Sequence, residues 1–362
     1  MGFLRFLFAL AVVIAHSAPI FGYRLIPGSL AVQSFYMISG FYISLVLNEK
    51  YIGENKSYKL FLSNRVLRLY PSYWFVLLCI VAYSAFFMIF FNSGDSGITL
   101  SYYKIYFENL SLWSYLYLIF SNLFIFGQEL VWFLGLDTLT GNLFFTSSLQ
   151  YPQPNLYVFL FIPQAWTVSL ELMFYVCAPF VVRRNITIVI SIIVLSLLLR
   201  VLMMFNFESQ EPVWSYRFFP TELALFLLGT VAYRISVFLK NKNIHKNVLR
   251  GILYFMILLT LSYSFIDFKG LYILFIVLFF ISLPFIFIYT KDSKRDRKIG
   301  ELSYPIYICH LFVLMFINSL SLSLEVNLWA SSIVILSILF AYILYRFVDS
   351  PLNRYRQRRL HK

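Results

Sequence analysis

Charge is scarce in this sequence: only 12% of its 362 residues are Asp, Glu, Lys or Arg, against roughly 25% in ordinary soluble domains. Meanwhile 60% are hydrophobic and 20% aromatic, more apolar surface than one water-soluble core can hide. A soluble fold is therefore excluded, and lipid has to stand in for an interior. Cysteine is scarce too. Cys79, Cys177 and Cys309 fall in apolar runs without Cys-x-x-Cys spacing, which speaks against a disulfide framework and a cysteine zinc site; no metal site of any kind is expected. Long hydrophilic stretches are missing: the longest, 49–71, leaves little room for a soluble domain, so 1–362 reads as a single transmembrane domain with no internal repeat. Acidic residues are few, 16 against 29 Lys and Arg, for a formal net charge of +13. In a membrane protein this excess is the expected bias of cytoplasmic loops, so nucleic acid is not an expected partner; membrane lipids are.

What is present in quantity is the apolar run of about 20 residues that a bilayer-crossing helix needs. Such runs lie near 3–21, 29–48, 72–91, 156–182, 186–205, 219–239, 248–266, 270–290, 302–321 and 328–349. The fold class is accordingly all-α, a polytopic integral membrane bundle of about ten transmembrane helices. The first run has the look of a secretory signal, with Arg5 ahead of apolar residues, but further spans follow at once and it reads as a retained helix. Phe6 occupies the position where myristoylation requires Ser or Thr.

An eleventh apolar run, 110–127, is resolved by charge. If it does not cross, 24 of the 29 Lys and Arg fall on one side, leaving Arg24, Lys104, Arg200, Arg217 and Lys269 elsewhere. That asymmetry places both termini and loop 49–71 in the cytoplasm. Residues 92–155 then form an extracytoplasmic segment with re-entrant or interfacial helices, closed by Tyr151-Pro152-Gln153-Pro154.

Ionisable residues at membrane depth cost at least ~2.5 kcal/mol each on insertion scales and ask for a reason. Here they are His16, Glu171, Arg200, Glu222 and His310. Arg200 and Glu222 stand near the outer ends of their spans, where snorkelling or pairing accounts for them. His16 is different. It follows Arg5 by eleven positions, almost three whole helical turns, so the two share a face about 16 Å apart along the axis. Arg65 and Arg68, three apart before the third span, are neighbours on a helix. Guanidinium groups bind phosphate bidentately, so Arg5, Arg65 and Arg68 converging at the cytoplasmic mouth would make a polyphosphate clamp. Ordinary positive-inside anchoring is the competing explanation.

These residues carry a resemblance. Leu4-Arg5 followed by Ala9, Ala11 and His16 is similar to the Arg-x10-His motif of the acyltransferase 3 family, integral membrane enzymes that move acyl groups onto extracytoplasmic glycans and related acceptors. Phe35-Tyr36-Met37-Ile38-Ser39-Gly40-Phe41 resembles its aromatic second helix, and Arg65-x-x-Arg68 with Leu69-Tyr70-Pro71 its RxxR-YP signature. Ala165-Trp166-Thr167-Val168-Ser169-Leu170-Glu171 resembles its tryptophan-to-glutamate pattern, with Leu displaced and Glu171 in register. Arg217 to Gly229, Ser303-Tyr304-Pro305-Ile306-Tyr307-Ile308-Cys309-His310 and Asp349-Ser350-Pro351 match further segments, the last with Asp where Glu is common. The acidic residue usual before the first arginine is missing.

The resemblance implies an O-acetyltransferase of the bacterial inner membrane. It would use acetyl-CoA as donor substrate, with no permanently bound cofactor, and a surface glycan (O-antigen, capsule or exopolysaccharide) or lipid-linked sugar as acceptor. Acyl transfer to a hydroxyl needs a base or a nucleophile, and His16 is the candidate for either. Arg5, Arg65 and Arg68 would hold the phosphates. Glu171 would orient a histidine or arginine, or stabilise charge, and His310 either faces the same cavity or makes a structural hydrogen bond. The aromatic residues of 92–155, Trp113 and Trp132 among them, would pack on sugar rings or form an interfacial belt. The alternative function is a proton-coupled transporter or flippase of a glycan precursor, with the intramembrane His and Glu as a relay.

Overall fold

The computed structural model describes residues 1–52, 57–91, 99–146, 154–207, 213–320 and 323–360. In chain order the helices are α1 (Gly2–His16), α2 (Gly28–Glu49), α3 (Tyr58–Phe91), the short α4 (Thr99–Ile105), α5 (Leu112–Phe124), α6 (Trp166–Val181), α7 (Ile186–Phe207), the one-turn α8 (Val213–Tyr216), α9 (Phe219–Leu239), α10 (Lys246–Ser262), α11 (Leu271–Thr290), α12 (Lys294–Glu301), α13 (Ser303–Ser319), α14 (Val326–Leu344) and α15 (Ser350–Arg358). A two-stranded antiparallel hairpin, β1 (Leu134–Leu136) with β2 (Leu143–Phe145), is the sheet among the described residues. The molecule is an all-α polytopic membrane bundle. Among the described residues eight helical stretches are long and apolar enough to cross a bilayer, fewer than the ten expected; α1, with 15 residues, and α6, with 16, fall short of that length.

The expected spans hold in order but not in all their bounds. The first ends at His16 rather than 21, because Pro19 disfavours helical backbone at the residue before it. The third begins at Tyr58, not 72, and runs 34 residues through Pro71, so Arg65 and Arg68 belong to the spanning helix itself and most of the supposed hydrophilic loop 49–71 is helical. The fourth shrinks from 156–182 to α6, 16 residues long, preceded by 3-10 turns at Leu156–Phe159 and Pro163–Ala165; Pro163 stops an upstream helix and starts a new turn.

Helix α5 has 13 residues, about 20 Å at 1.5 Å per residue, too short to cross. Its C-terminal end nonetheless reaches the middle of α3. Tyr73 donates to the Asn122 carbonyl at 2.5 Å and Trp74 to that of Leu123 at 2.8 Å, the geometry of a re-entrant helix. Residues 92–98 and 147–153, with Tyr151, Pro152 and Gln153 of the Pro-rich closure, lie outside the described residues.

Helices α1, α2, α6, α9 and α13 build the interior, while α7 and α10 turn residues such as Leu195, Leu198 and Leu258 outward, an apolar surface suited to lipid. Helices α2 and α9 approach backbone to backbone. A Cβ on Gly40 would lie 1.8 Å from the Phe226 carbonyl oxygen, and one on Gly229 would lie 2.0 Å from that of Met37. Small residues let membrane helices pack backbone to backbone. Gly229→Val is therefore expected to cost at least about 2 kcal/mol by overpacking, seen as a lower midpoint of thermal aggregation in detergent; an unchanged midpoint would contradict this packing.

Candidate active site

At the end of the bundle that carries most of the basic residues, a wide cavity of about 920 Å³ opens between the start of α1, the end of α2, the start of α3, α12 and α15. Nine Lys and Arg side chains line it against four Asp and Glu, and Arg5, Arg65 and Arg68 are among the nine. The predicted convergence of these three arginines is thus present. Arg5 is aimed by the helix that bears it: Asp296 accepts hydrogen bonds from the backbone N–H groups of Gly2 (2.7 Å) and Phe3 (2.9 Å), a carboxylate satisfying exposed donors at a helix N-terminus. Arg65 is buried, its guanidinium 5.7 Å from the centre of the Phe61 ring.

Deeper in the bundle lies a second, narrow chamber of about 80 Å³. Arg5, Tyr42, Arg68 and Tyr304 line both spaces and form the neck between them. Glu171 sits in the narrow chamber, where its Oε1 accepts from Ser39 Oγ at 2.6 Å and from the Tyr175 hydroxyl one turn later on α6. Among the described residues neither of these hydrogen bonds involves a histidine. Orientation of an imidazole by Glu171, expected from the sequence as one of its roles, is therefore replaced by a carboxylate held by two hydroxyls in a chamber it shares with Arg5 and Arg68. Within a low-dielectric bundle that arrangement keeps the carboxylate hydrogen-bonded and close to cations.

The two histidines meet beyond the chamber. His16 is the last residue of α1 and His310 lies within α13, and their ring centroids are 5.0 Å apart. Each ring donates Nδ1–H to a carbonyl on its own helix, His16 to Val12 at 2.9 Å and His310 to Tyr307 at 2.7 Å. A carbonyl only accepts, so both neutral imidazoles carry the lone pair on Nε2, the atom a base or nucleophile uses. His310 is fully buried and its Nε2 has no hydrogen-bond partner among the described residues, whereas the His16 side chain is exposed at the helix end. Sequence spacing placed Arg5 and His16 on one face but carried no information about the partner that α13 brings to His16.

Neither imidazole is among the residues lining the narrow chamber. Tyr307 stands between: it lines the chamber, its ring centroid is 6.0 Å from that of His310, and its hydroxyl donates to the Gln164 carbonyl (3.0 Å) beside Thr167 Oγ1 at 2.7 Å. Tyr307 and Thr167 were present in the sequence motifs, yet nothing in one sequence marks them as facing each other. Between α8 and α9, Arg217 lies 3.6 Å from the centre of the Trp132 ring and 4.7 Å from that of Trp166. Tyr157 stacks on Trp132 at 4.9 Å. With a guanidinium over its ring and a tyrosine stacked on it, Trp132 holds a cation–π contact rather than standing open as a platform for a sugar ring.

The chain is similar to proteins already known. A family described as an acyltransferase domain matches residues 1–346. The O-acetyltransferase OatA of Staphylococcus aureus strain NCTC 8325 is 24% identical over 357 residues, covering 90% of this chain and 53% of OatA, and the OatA of strain COL matches to the same degree. The chain thus spans about half the length of the curated relatives it matches. No solved structure matches it.

Proposed function

Because the chain belongs to the acyltransferase 3 family, we propose that it is a multi-pass membrane O-acetyltransferase, taking the acetyl group of acetyl-CoA from the cytoplasmic side and delivering it to a hydroxyl of an extracytoplasmic glycan or lipid-linked sugar. We place the protein in a bacterial cytoplasmic membrane with its basic end, and both termini, inside. The observation that carries this reading is the sequence of spaces: a wide basic cavity, a neck of two arginines, a narrow chamber, then a pair of imidazoles whose Nδ1–H groups are committed to carbonyls, leaving the lone pair of each on Nε2. That order suits a donor with phosphates at one end, a thin arm and a reactive thioester at the other.

In the reaction the phosphates sit among Arg5, Arg65 and Arg68, where planar guanidinium groups match phosphate oxygens. The pantetheine arm passes Glu171 and reaches Tyr307. His16 Nε2, at the exposed end of α1, removes the proton of the acceptor hydroxyl as its oxygen attacks the thioester carbonyl. When the tetrahedral intermediate collapses, the C–S bond breaks and the same proton passes to the leaving thiolate, so His16 returns to its starting state. His310, fully buried beside it, holds the ring of His16 in place.

Radiolabelled acetyl-CoA supplied to inverted membrane vesicles tests the reading. Label should move to a glycan or lipid-linked sugar only when the protein is present; a transporter would consume no thioester, and label staying in acetyl-CoA would sink the proposal. Orientation is checked separately. Ser57, just before α3, and Leu139, in the turn between β1 and β2, are both exposed. Of cysteines introduced there, only Leu139→Cys is expected to react with an impermeant thiol reagent in intact cells; reaction at position 57 alone would reverse the topology.

A further inference from the structure

The wide cavity holds more arginines than the three that the motifs supply. Helix α15 adds Arg354, Arg356 and Arg358 to its wall, and it lies beyond residue 346, where the family match ends. The helix is fastened in place. Arg359, which follows it, donates to Asn64 Oδ1 and to Ser63 Oγ, both at 2.9 Å, and Asp349, just before it, accepts from Ser72 Oγ. All three contacts are with α3, so α15 is docked along the helix that bears Arg65 and Arg68.

Two of the lining arginines stand out by their burial. Arg65 is 6% exposed and Arg356 9% exposed, and the Nε–H of each is buried without a hydrogen-bond partner among the described residues. Arg356 has one end of its guanidinium set by Asn353, to which Nη1 donates at 2.7 Å. Arg65, Arg68 and Arg356 lie close enough for their positive charges to act on one another. The ion pairs within 4 Å among the described residues are Met1 with Asp296 and Arg200 with Glu222, and neither involves these three. Buried like charges with unsatisfied donors are costly unless an anion joins them. A cavity of about 920 Å³ is of the size that takes a whole small ligand.

The order of the spaces says which anion goes where. An acyl-CoA runs from thioester through pantetheine to pyrophosphate, and then to a ribose that carries a separate 3′-phosphate. With the arm in the narrow chamber, the pyrophosphate lies at the neck by Arg5 and Arg68, and the phosphoribosyl end has to lie farther out. Arg356 lines only the outer space, as Arg65 does. We propose that Arg356, on the C-terminal helix, together with Arg65 binds the 3′-phosphate of the donor, so that α15 makes the enzyme selective for acyl-CoA over carriers that end at the pyrophosphate or at pantetheine alone. The proposal rests on the acetyl-CoA reading above and adds the terminal phosphate as the group recognised. A phosphomonoester carries roughly −1.5 to −2 charges at neutral pH, enough to offset two guanidinium groups, and each oxygen offers the acceptors that the orphaned Nε–H groups lack.

The test compares binding of CoA and 3′-dephospho-CoA to the full-length protein in nanodiscs. Unsubstituted protein is expected to bind CoA about tenfold more tightly or better, from hydrogen bonds between charged groups. Arg356→Ala should bring CoA down to the affinity of 3′-dephospho-CoA and leave the latter almost unmoved, with Arg356→Lys in between. Equal binding of the two ligands by the unsubstituted protein overturns the proposal and needs no variant to fold. Equal weakening of both ligands in Arg356→Ala overturns it as well, since that marks a general loss of charge or structure. If neither ligand binds, the donor reading itself falls and takes this proposal with it. Tight binding of 3′-dephospho-CoA alone leaves the donor reading standing and the role of α15 refuted.

Discussion

His16→Ala is expected to lower acetyl transfer by at least about two orders of magnitude, the usual scale of general-base assistance, at matched protein level in the membrane. The expectation comes from geometry that sequence spacing could not supply. His16 presents a lone pair on Nε2 because its Nδ1–H is committed to Val12, and it does so at the exposed end of α1, where an acceptor hydroxyl can approach. His310 is also poised, its Nε2 without a hydrogen-bond partner among the described residues, but it is fully buried. We expect His310→Ala to have a smaller effect, read mainly in stability, since removing it opens a cavity next to His16. His310→Gln, which keeps a polar group in the site, should recover part of that loss. Near-normal transfer in His16→Ala together with abolition in His310→Ala would assign the base to His310 and move the chemistry one helix inward.

The second large effect is expected at the neck. Arg68 lines both the wide cavity and the narrow chamber, so it meets the donor where phosphate gives way to the arm. Truncating one partner of a buried, charged hydrogen-bonded pair typically costs about 2–5 kcal/mol. Arg68→Ala should therefore lower kcat/KM for acetyl-CoA by at least about thirtyfold, the lower bound of that range converted at 1.4 kcal/mol per decade. Arg68→Lys keeps the charge without the two-pronged geometry and should recover only part of the loss. If anchoring at the membrane surface were the whole role of Arg68, the lysine variant would transfer acetyl at the unsubstituted rate with KM unchanged, which is the outcome that would remove the clamp.

Much of the architecture was legible because membrane physics writes it in one dimension. Apolar length marks a crossing, and the 24-to-5 partition of basic residues decided that 110–127 does not complete one; α5, with 13 residues and its end at mid-α3, agrees. Helix bounds were read less well. A hydropathy run does not register where Pro163 or Pro19 interrupts hydrogen bonding, nor that a polar stretch such as 58–71 continues a helix when cavity and neighbouring helices take its arginines. Glu171 was legible as a carboxylate in need of partners, and its hydrogen-bond partners are Ser39 and Tyr175. Hydroxyls carry no charge and leave no mark in a charge pattern.

By itself the sequence determined that the chain lives in a bilayer, roughly where its apolar helices lie, which end is basic, and that Arg5 lies on the His16 face of one helix. Each of these follows from composition or from the 3.6-residue period, properties local to a segment. Tertiary structure decided everything that depends on one helix meeting another: that α13 sets His310 against His16, that Tyr307 stands between them and the narrow chamber, and that α15 folds back on α3 to close a wide basic cavity. Such meetings are set by backbone approach, as where Gly40 and Gly229 let α2 and α9 touch, and by hydrogen bonds between residues hundreds of positions apart, as between Arg359 and Asn64. Neither leaves a periodic trace along the chain.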